Sequence, residues 1–257
     1  MPYINIKDNK IRYIVVENTH KVGHGEKIFF LHGLGGNIYN WAYQIKYFSE
    51  SYQVIALELP GHGRSPGKGA TAISDYTNLL REFFEVMDLD EVILVGHSMG
   101  GAIALDYAIK YQDSLKALGL VATGAKFEIS TQTLIKMKDN IESIFGALDK
   151  AKEKMKDIDE RLVTNDINVM LGDVVAARKF NVTSQLSTIQ IPTLVVCGTE
   201  DPLIQISMAE YLRDHIPGAQ LALIKGAGHM VMVEYPQEFN TILEQFVINL
   251  MVNSLWD

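Results

Sequence analysis

Hydrophobic positions along the chain switch repeatedly between two spacings. Short apolar runs, Ile11 to Glu17, Lys27 to Leu31, Gln53 to Leu57, Glu91 to Val95, Leu115 to Val121, Pro192 to Cys197 and Gln220 to Ile224, read as strands. Between them Ile38 to Ser49, Ile73 to Met87, Ala102 to Tyr111, Ala209 to His215 and Pro236 to Val252 place apolar residues at helical spacing. This alternation implies right-handed crossovers and a mostly parallel, doubly wound sheet with helices on both faces, an α/β fold. The first two strands, joined by the turn-like Val22-Gly23-His24-Gly25, are expected to form an antiparallel hairpin. From about residue 126 to 190 there is no strand-like run, and Leu134, Met137, Ile141, Ile144, Phe145 and Leu148 recur at helical spacing. A crossover between parallel strands needs far fewer residues than this. The expectation is one domain, with a core of residues 1–125 and 191–257 and a helical cap insertion over about 126–190.

One junction carries chemistry. The strand ending Val92-Ile93-Leu94-Val95 runs directly into Gly96-His97-Ser98-Met99-Gly100-Gly101 and then into the helix former Ala102-Ile103-Ala104-Leu105. Glycines two residues before and two after Ser98 remove Cβ atoms that would collide where a strand reverses into a helix. The serine is therefore expected on a strained, exposed turn, with its Oγ projecting from the end of the sheet. N–H groups of the first helical turn point at the same spot and suit an oxyanion there.

A serine hydroxyl is a poor nucleophile until a histidine takes its proton and a carboxylate orients that histidine. Of the seven histidines, His20 and His24 lie in the opening turn and read as solvated, while His215 closes a helix, where its charge suits the C-terminal end. His229 is different: Gly226-Ala227-Gly228-His229 follows the strand Leu221 to Ile224, at the carboxyl end where open α/β sheets place ligands. It is the candidate base. The candidate carboxylate is Asp201, on the loop Gly198-Thr199-Glu200-Asp201 that leaves another strand; its neighbour Glu200 would point elsewhere. The order nucleophile, acid, base is that of the α/β-hydrolase arrangement. Leu31-His32-Gly33-Leu34-Gly35-Gly36 also follows a strand, and its glycines let an N–H turn inward, so the backbone donors of an oxyanion hole would be Leu34 and Met99. The same loop lacks the Gly-x-Gly-x-x-Gly spacing, and no Gly-Lys-Ser/Thr occurs, which argues against a nucleotide.

Composition removes other classes. In 257 residues, 47% are hydrophobic and 21% charged, as in ordinary globular proteins. A formal charge of −8 without a basic stripe argues against nucleic acid. Cys197, the single cysteine, lies in an apolar run and reads as a buried inert thiol. His20 and His24 have no ordered helix to align them and no cysteine or carboxylate cluster beside them, so no metal is expected. The opening residues show no basic stretch followed by an apolar one, and no apolar run approaches membrane-spanning length, so a cytoplasmic location is expected.

Taken together, Phe30-Leu31-His32-Gly33, Glu58-Leu59-Pro60-Gly61-His62-Gly63-Arg64-Ser65, Gly96-His97-Ser98-Met99-Gly100-Gly101, Gly198-x-x-Asp201 and Gly228-His229 resemble the α/β-hydrolase superfamily over nearly the whole chain. The likeness is nearest to its small capped carboxylesterases and monoacylglycerol-lipase-like hydrolases. It departs at Glu58, where such enzymes often carry Asp. The resemblance implies a Ser98, Asp201, His229 triad, an oxyanion hole at Leu34 and Met99 and no cofactor, and the expected partners are a small-molecule ester and water, with the oligomeric state left open. Dehalogenases and epoxide hydrolases of this fold use an aspartate nucleophile, which Ser98 counts against. Hydrolases that cleave carbon–carbon bonds of ring-fission products keep the serine and stay open, as does a binding protein built on the fold. Methionines in the insertion, Met137, Met155 and Met170, would offer an adaptable roof, which points to uncharged esters with short to medium acyl chains.

Overall fold

A computed structural model describes residues 2–18, 25–127 and 166–253. Eight strands form one sheet: β1 (Tyr3–Ile6), β2 (Asn9–Val16), β3 (Lys27–Leu31), β4 (Gln53–Leu57), β5 (Val92–His97), β6 (Leu115–Val121), β7 (Thr193–Gly198) and β8 (Gln220–Ile224). Their spatial order is β1-β2-β4-β3-β5-β6-β7-β8, antiparallel at β1/β2 and β2/β4 and parallel from β4 onward. The doubly wound expectation therefore holds. The opening hairpin does not: β2 pairs with β4 through Tyr13↔Leu57 to Val16↔Val54, and β3 lies on the far side of β4. In the hairpin's place β2 turns back onto β1, a strand of four residues of which only Ile6 is buried.

The helices are α1 (Ala42–Phe48), α2 (Ile73–Val86), α3 (Met99–Tyr111), α4 (Ile167–Lys179), α5 (Ile206–His215), α6 (Val231–Glu234) and α7 (Pro236–Asn253). A single helix over Ile38 to Ser49 is expected from the sequence. Instead Asn37 caps a 3-10 turn, Ile38–Trp41, accepting from the Tyr39 N–H while Asn40 reaches back to the Asn37 N–H, and α1 starts only after it. Among the described residues no helix is long and apolar enough to cross a membrane.

Period-two alternation splits the core between the two faces of the sheet. Phe29 turns to the side of α2 and α3, meeting Phe83 edge-on and Phe84 at 5.1 Å; Phe30 turns to the opposite side and stacks on Trp41 at 4.7 Å. On α2, Ile73, Tyr76, Leu80, Phe83 and Phe84 form the buried stripe. Much of the predicted insertion, 128–165 with Leu134, Met137, Ile141, Ile144, Phe145, Leu148 and Met155, lies outside the described residues, as do His20 and His24. Its last part does not: Ala176, Phe180, Val182, Leu186 and Ile189 join the same buried cluster as β5 and α3.

One charged pair sits inside this framework. Glu58, fully buried, accepts from Arg12 Nη1 at 2.9 Å and from the Arg64 N–H at 2.7 Å, while Ser65 Oγ donates to the Glu58 carbonyl and accepts from the Arg12 N–H. Burial pushes the Glu58 carboxyl up, against the pull of the Arg64 amide and the Arg12 charge. The extra methylene relative to aspartate lets the carboxylate span from β2 to the turn at Gly63, where an added Cβ would collide with it.

Removing one partner of such a pair strands a buried charge. Glu58→Ala is expected to cost about 3–5 kcal/mol in urea unfolding, whereas Arg12→Met combined with Glu58→Leu costs far less. Equal losses for the single and double variants would show that the pairing is not what stabilises this turn.

Candidate active site

Ser98 sits between β5 and α3 at φ 52° and ψ −117°, a left-handed conformation that a residue with a Cβ adopts only when its surroundings impose it. The surroundings are explicit. A Cβ on Gly96 would strike the Gly100 carbonyl, and one on Gly100 would strike the carbonyls of Leu31 and His32. The Ser98 N–H donates to the Val121 carbonyl at 2.9 Å, and the Ser98 carbonyl accepts from Thr123 Oγ1 at 2.8 Å and from the Ala102 N–H at 3.1 Å. Both backbone groups of Ser98 are thereby satisfied, and its side chain is half-buried. Among the described residues its Oγ makes no hydrogen bond.

Asp201 and His229 come together. His229 Nδ1–H donates to Asp201 Oδ2 at 2.8 Å, and Asp201 Oδ1 accepts from the N–H groups of Leu203 and Ile204 at 2.8 and 3.0 Å. Burial pushes the Asp201 carboxyl up, but the hydrogen bond and charge of His229 and the two amides outweigh it and hold the group below its ordinary value. The carboxylate is fully enclosed, whereas neighbouring Glu200 is exposed, which separates the two carboxylates as the sequence predicts. Their loops are stitched by backbone: Thr199 Oγ1 accepts from the Gly226 N–H, the Thr199 N–H donates to Ile224, and the Glu200 N–H donates to Ala227.

Nδ1 being committed to Asp201, the Nε2 lone pair of His229 is free to accept a proton, and no described residue engages it. His97, beside Ser98, donates from Nε2 to the His229 carbonyl at 3.0 Å, their rings 4.8 Å apart. The loop after β3 closes against the same turn: a Cβ on Gly33 would lie 3.1 Å from Ser98 Cβ and 3.1 Å from His97 Nδ1. Leu34, half-buried, follows directly, and Met99, buried, opens α3. The five residues singled out by sequence thus belong to four neighbouring loops at the carboxyl ends of β3, β5, β7 and β8.

Two contributors lack a sequence signal. Glu234, on α6, accepts from the N–H groups of Gly228 and Met230 at 2.7 and 3.0 Å, bracketing His229 from both sides. His97 reads in the sequence only as the variable position of Gly-x-Ser-x-Gly. Among the described residues there is no group of three metal-ligating side chains, and Cys197 is buried, its thiol pushed up to about 12 by burial and the nearby Asp201 charge.

A family model described as "Alpha/beta hydrolase family" matches residues 28–242. Among curated proteins, the chain is 28% identical to the dihydrolipoyllysine-residue acetyltransferase component of an acetoin cleaving system from Cupriavidus necator, over 90% of this chain and 66% of that protein. It therefore spans just under two thirds of that relative's length. It is 27% identical to an (E)-2-((N-methylformamido)methylene)succinate hydrolase from Acinetobacter baylyi, over 88% of this chain and 91% of the relative. Among solved structures, the enol-lactonase from Burkholderia xenovorans LB400 superposes with a TM-score of 0.82 at 19% identity, covering 96% of this chain and all of that one.

Burial, with His229 close by, holds His97 down to about 3, and burial with the neighbouring His62 holds His32 well below 6.5. Both stay neutral when folded, whereas the unfolded chain protonates them near the ordinary value of 6.5. The unfolded state then binds more protons, so stability falls as pH drops below about 6.5, His97's share being fully lost near 3. Melting measured against pH is expected to show this decline, and His97→Gln to remove up to about one proton from its slope. An unchanged slope would mean that His97 is not the group being charged.

Proposed function

The chain belongs to the alpha/beta hydrolase family, and from that membership we propose that it is a serine hydrolase cleaving carboxylic esters through an acyl-enzyme. The observation that carries this reading is the His229 to Asp201 hydrogen bond on a histidine whose Nε2 is unengaged among the described residues, beside a left-handed serine. An acid–base pair so oriented serves a hydroxyl nucleophile. The hydrolase name of the Acinetobacter baylyi relative accords with it.

In this mechanism His229 Nε2 takes the Ser98 proton as Oγ attacks the ester carbonyl carbon. The carbonyl oxygen becomes an oxyanion facing the N–H groups of Leu34 and Met99, donors that are fixed before reaction and cost no reorganisation. Collapse breaks the bond to the alcohol oxygen, which leaves with the proton from His229. Water, deprotonated by the same Nε2, attacks the acyl carbon; Ser98 leaves and recovers its proton. Asp201 stays ionised throughout, keeping the imidazole in the tautomer that accepts at Nε2 and stabilising its transient charge. Substrate and water suffice as reactants, and no cofactor enters. Residues 1–125 and 191–257 form the body and about 126–190 the cap. Uncharged esters with short to medium acyl chains are favoured, since segments 96–101, 198–201 and 226–229 hold no Lys or Arg to pair a buried anion.

Ser98→Ala and His229→Ala are expected to lower turnover of a nitrophenyl ester by about four to six orders of magnitude with an unchanged melt. Asp201→Asn should cost roughly ten-thousand-fold through the wrong tautomer, and Glu200→Gln little. The acid limb of kcat/KM should have a slope of one, because His97 remains neutral down to about 3 and so adds no second proton. Retention of a tenth of the activity by either alanine variant would remove the triad assignment. Faster turnover of a ring-fission dienoate than of every ester would reassign the reaction to carbon–carbon cleavage.

A further inference from the structure

One cluster of buried ionisable side chains that the mechanism leaves unused centres on α4. Asp173 of α4, fully buried, accepts from Tyr76 of α2 at 2.5 Å on Oδ1 and meets Nε2 of the equally buried His62 at 2.7 Å on Oδ2. His62 Nδ1 lies 3.1 Å from the Pro60 carbonyl, an acceptor only, so Nδ1 carries a hydrogen. The Tyr76 oxygen in turn accepts from the Ala70 N–H at 2.8 Å. Since Tyr76 donates its only proton to Oδ1, one further proton must lie between Asp173 and His62 Nε2. The cluster is closed: every polar atom in it has a partner, and none reaches solvent. Such a network fixes geometry, because no member can move without leaving a buried group unpaired.

What it fixes is the approach of α4 to the catalytic loops. Val169 packs where a Cβ on Gly61 or Gly69 would sit, at 2.7 and 3.1 Å, and Gly172 lies on the Ala70 carbonyl, where its own Cβ would be 2.9 Å away. Met170, one turn before Asp173, brings its terminal methyl to 3.9 Å from the Cβ position of Gly35. Gly35 adjoins Leu34, and a Cβ on Gly33 would lie 3.1 Å from Ser98 Cβ, so this methyl rests against the same loop that closes on the serine.

We propose that His62, Asp173 and Tyr76 are positioning residues that clamp α4 onto α2 and the loop after β4, whose Leu59 N–H donates to His32 at the start of the loop bearing Leu34, and that Met170, held by this clasp, is the wall that limits substrate size. The specificity half of this inference rests on the ester reading above; the clasp does not. On this view α4 is a fixed part of the substrate site, welded to the body by a polar clasp and small residues, and does not travel with a lid.

Two measurements test it. Amide hydrogen exchange reads the clasp without turnover: Asp173→Ala should speed exchange both over residues 167–179 and over 32–36, while Asp173→Asn, able to donate to a neutral His62 and accept from Tyr76, should restore protection. Kinetics on nitrophenyl esters of rising acyl length, and on acetates of rising alcohol size, read the wall. Asp173→Ala should lower kcat/KM by about ten- to a hundredfold, the scale of an ångström of misplacement. Met170→Ala should improve the largest ester relative to nitrophenyl acetate by about tenfold or more. Unaltered exchange over 32–36 in Asp173→Ala would overturn the clasp, and an unaltered size profile in both ester series for Met170→Ala would overturn the wall. If the exchange results hold but wild-type protein cleaves no ester, the clasp stands and the ester reading falls, taking the wall with it.

Discussion

The site depends on how closely three backbone segments meet where β5 turns into α3. Gly96 and Gly100 are near enough that neither tolerates a Cβ, and Gly100 in turn rests on the carbonyls of Leu31 and His32 at the end of β3. Parallel pairing of β3 with β5, Leu31 opposite Gly96, brings those ends level. The left-handed backbone of Ser98 is the residue of that crowding: a strained conformation that persists because the neighbours over-determine it. Hydrogen bonds from the Thr123 hydroxyl and to the Val121 carbonyl then carry the constraint into β6 and the residues after it.

Around this point the loops divide into two mechanical units. Thr199, Glu200, Ile224, Gly226 and Ala227 tie the acid loop to the base loop, so Asp201 and His229 move as one piece. Ser98 belongs to the other piece, with the loop after β3. His97 joins the two, being adjacent to the serine in the chain and hydrogen-bonded to the carbonyl of the base. That contact needs a hydrogen on Nε2, and burial keeps the ring otherwise uncharged against the pull of the carbonyl.

Periodicity made the parallel strands and long helices legible, because each buries a continuous run or stripe. The glycine pattern made Ser98 legible, and position after a strand did the same for Asp201 and His229. Strand pairing was not legible at the start of the chain: Ile11 to Glu17 and Lys27 to Leu31 are near in sequence, yet β4 inserts between them, a choice made by side chains some forty residues on. Glu234 and Asp173 were invisible for a related reason. Each is a carboxylate on a helix, which in sequence resembles any solvated position, and each gains its role from partners that only folding brings near. Glu58 shows the middle case, since its motif marked the loop but not the buried arginine that holds it.

The proposed base, His229, follows the outermost described strand on its side of the sheet. Among the described residues β8 has a ladder partner only in β7, and its side chains run from exposed to half-buried until Ile224. An edge strand with one neighbour opens at lower free energy than the central strands, whose ladders are closed on both sides. Fraying there would carry off His229 while β3, β5 and the serine turn stay folded. The molecule's chemical competence is thus tied to its least protected strand, and heat inactivation would precede the loss of helical content.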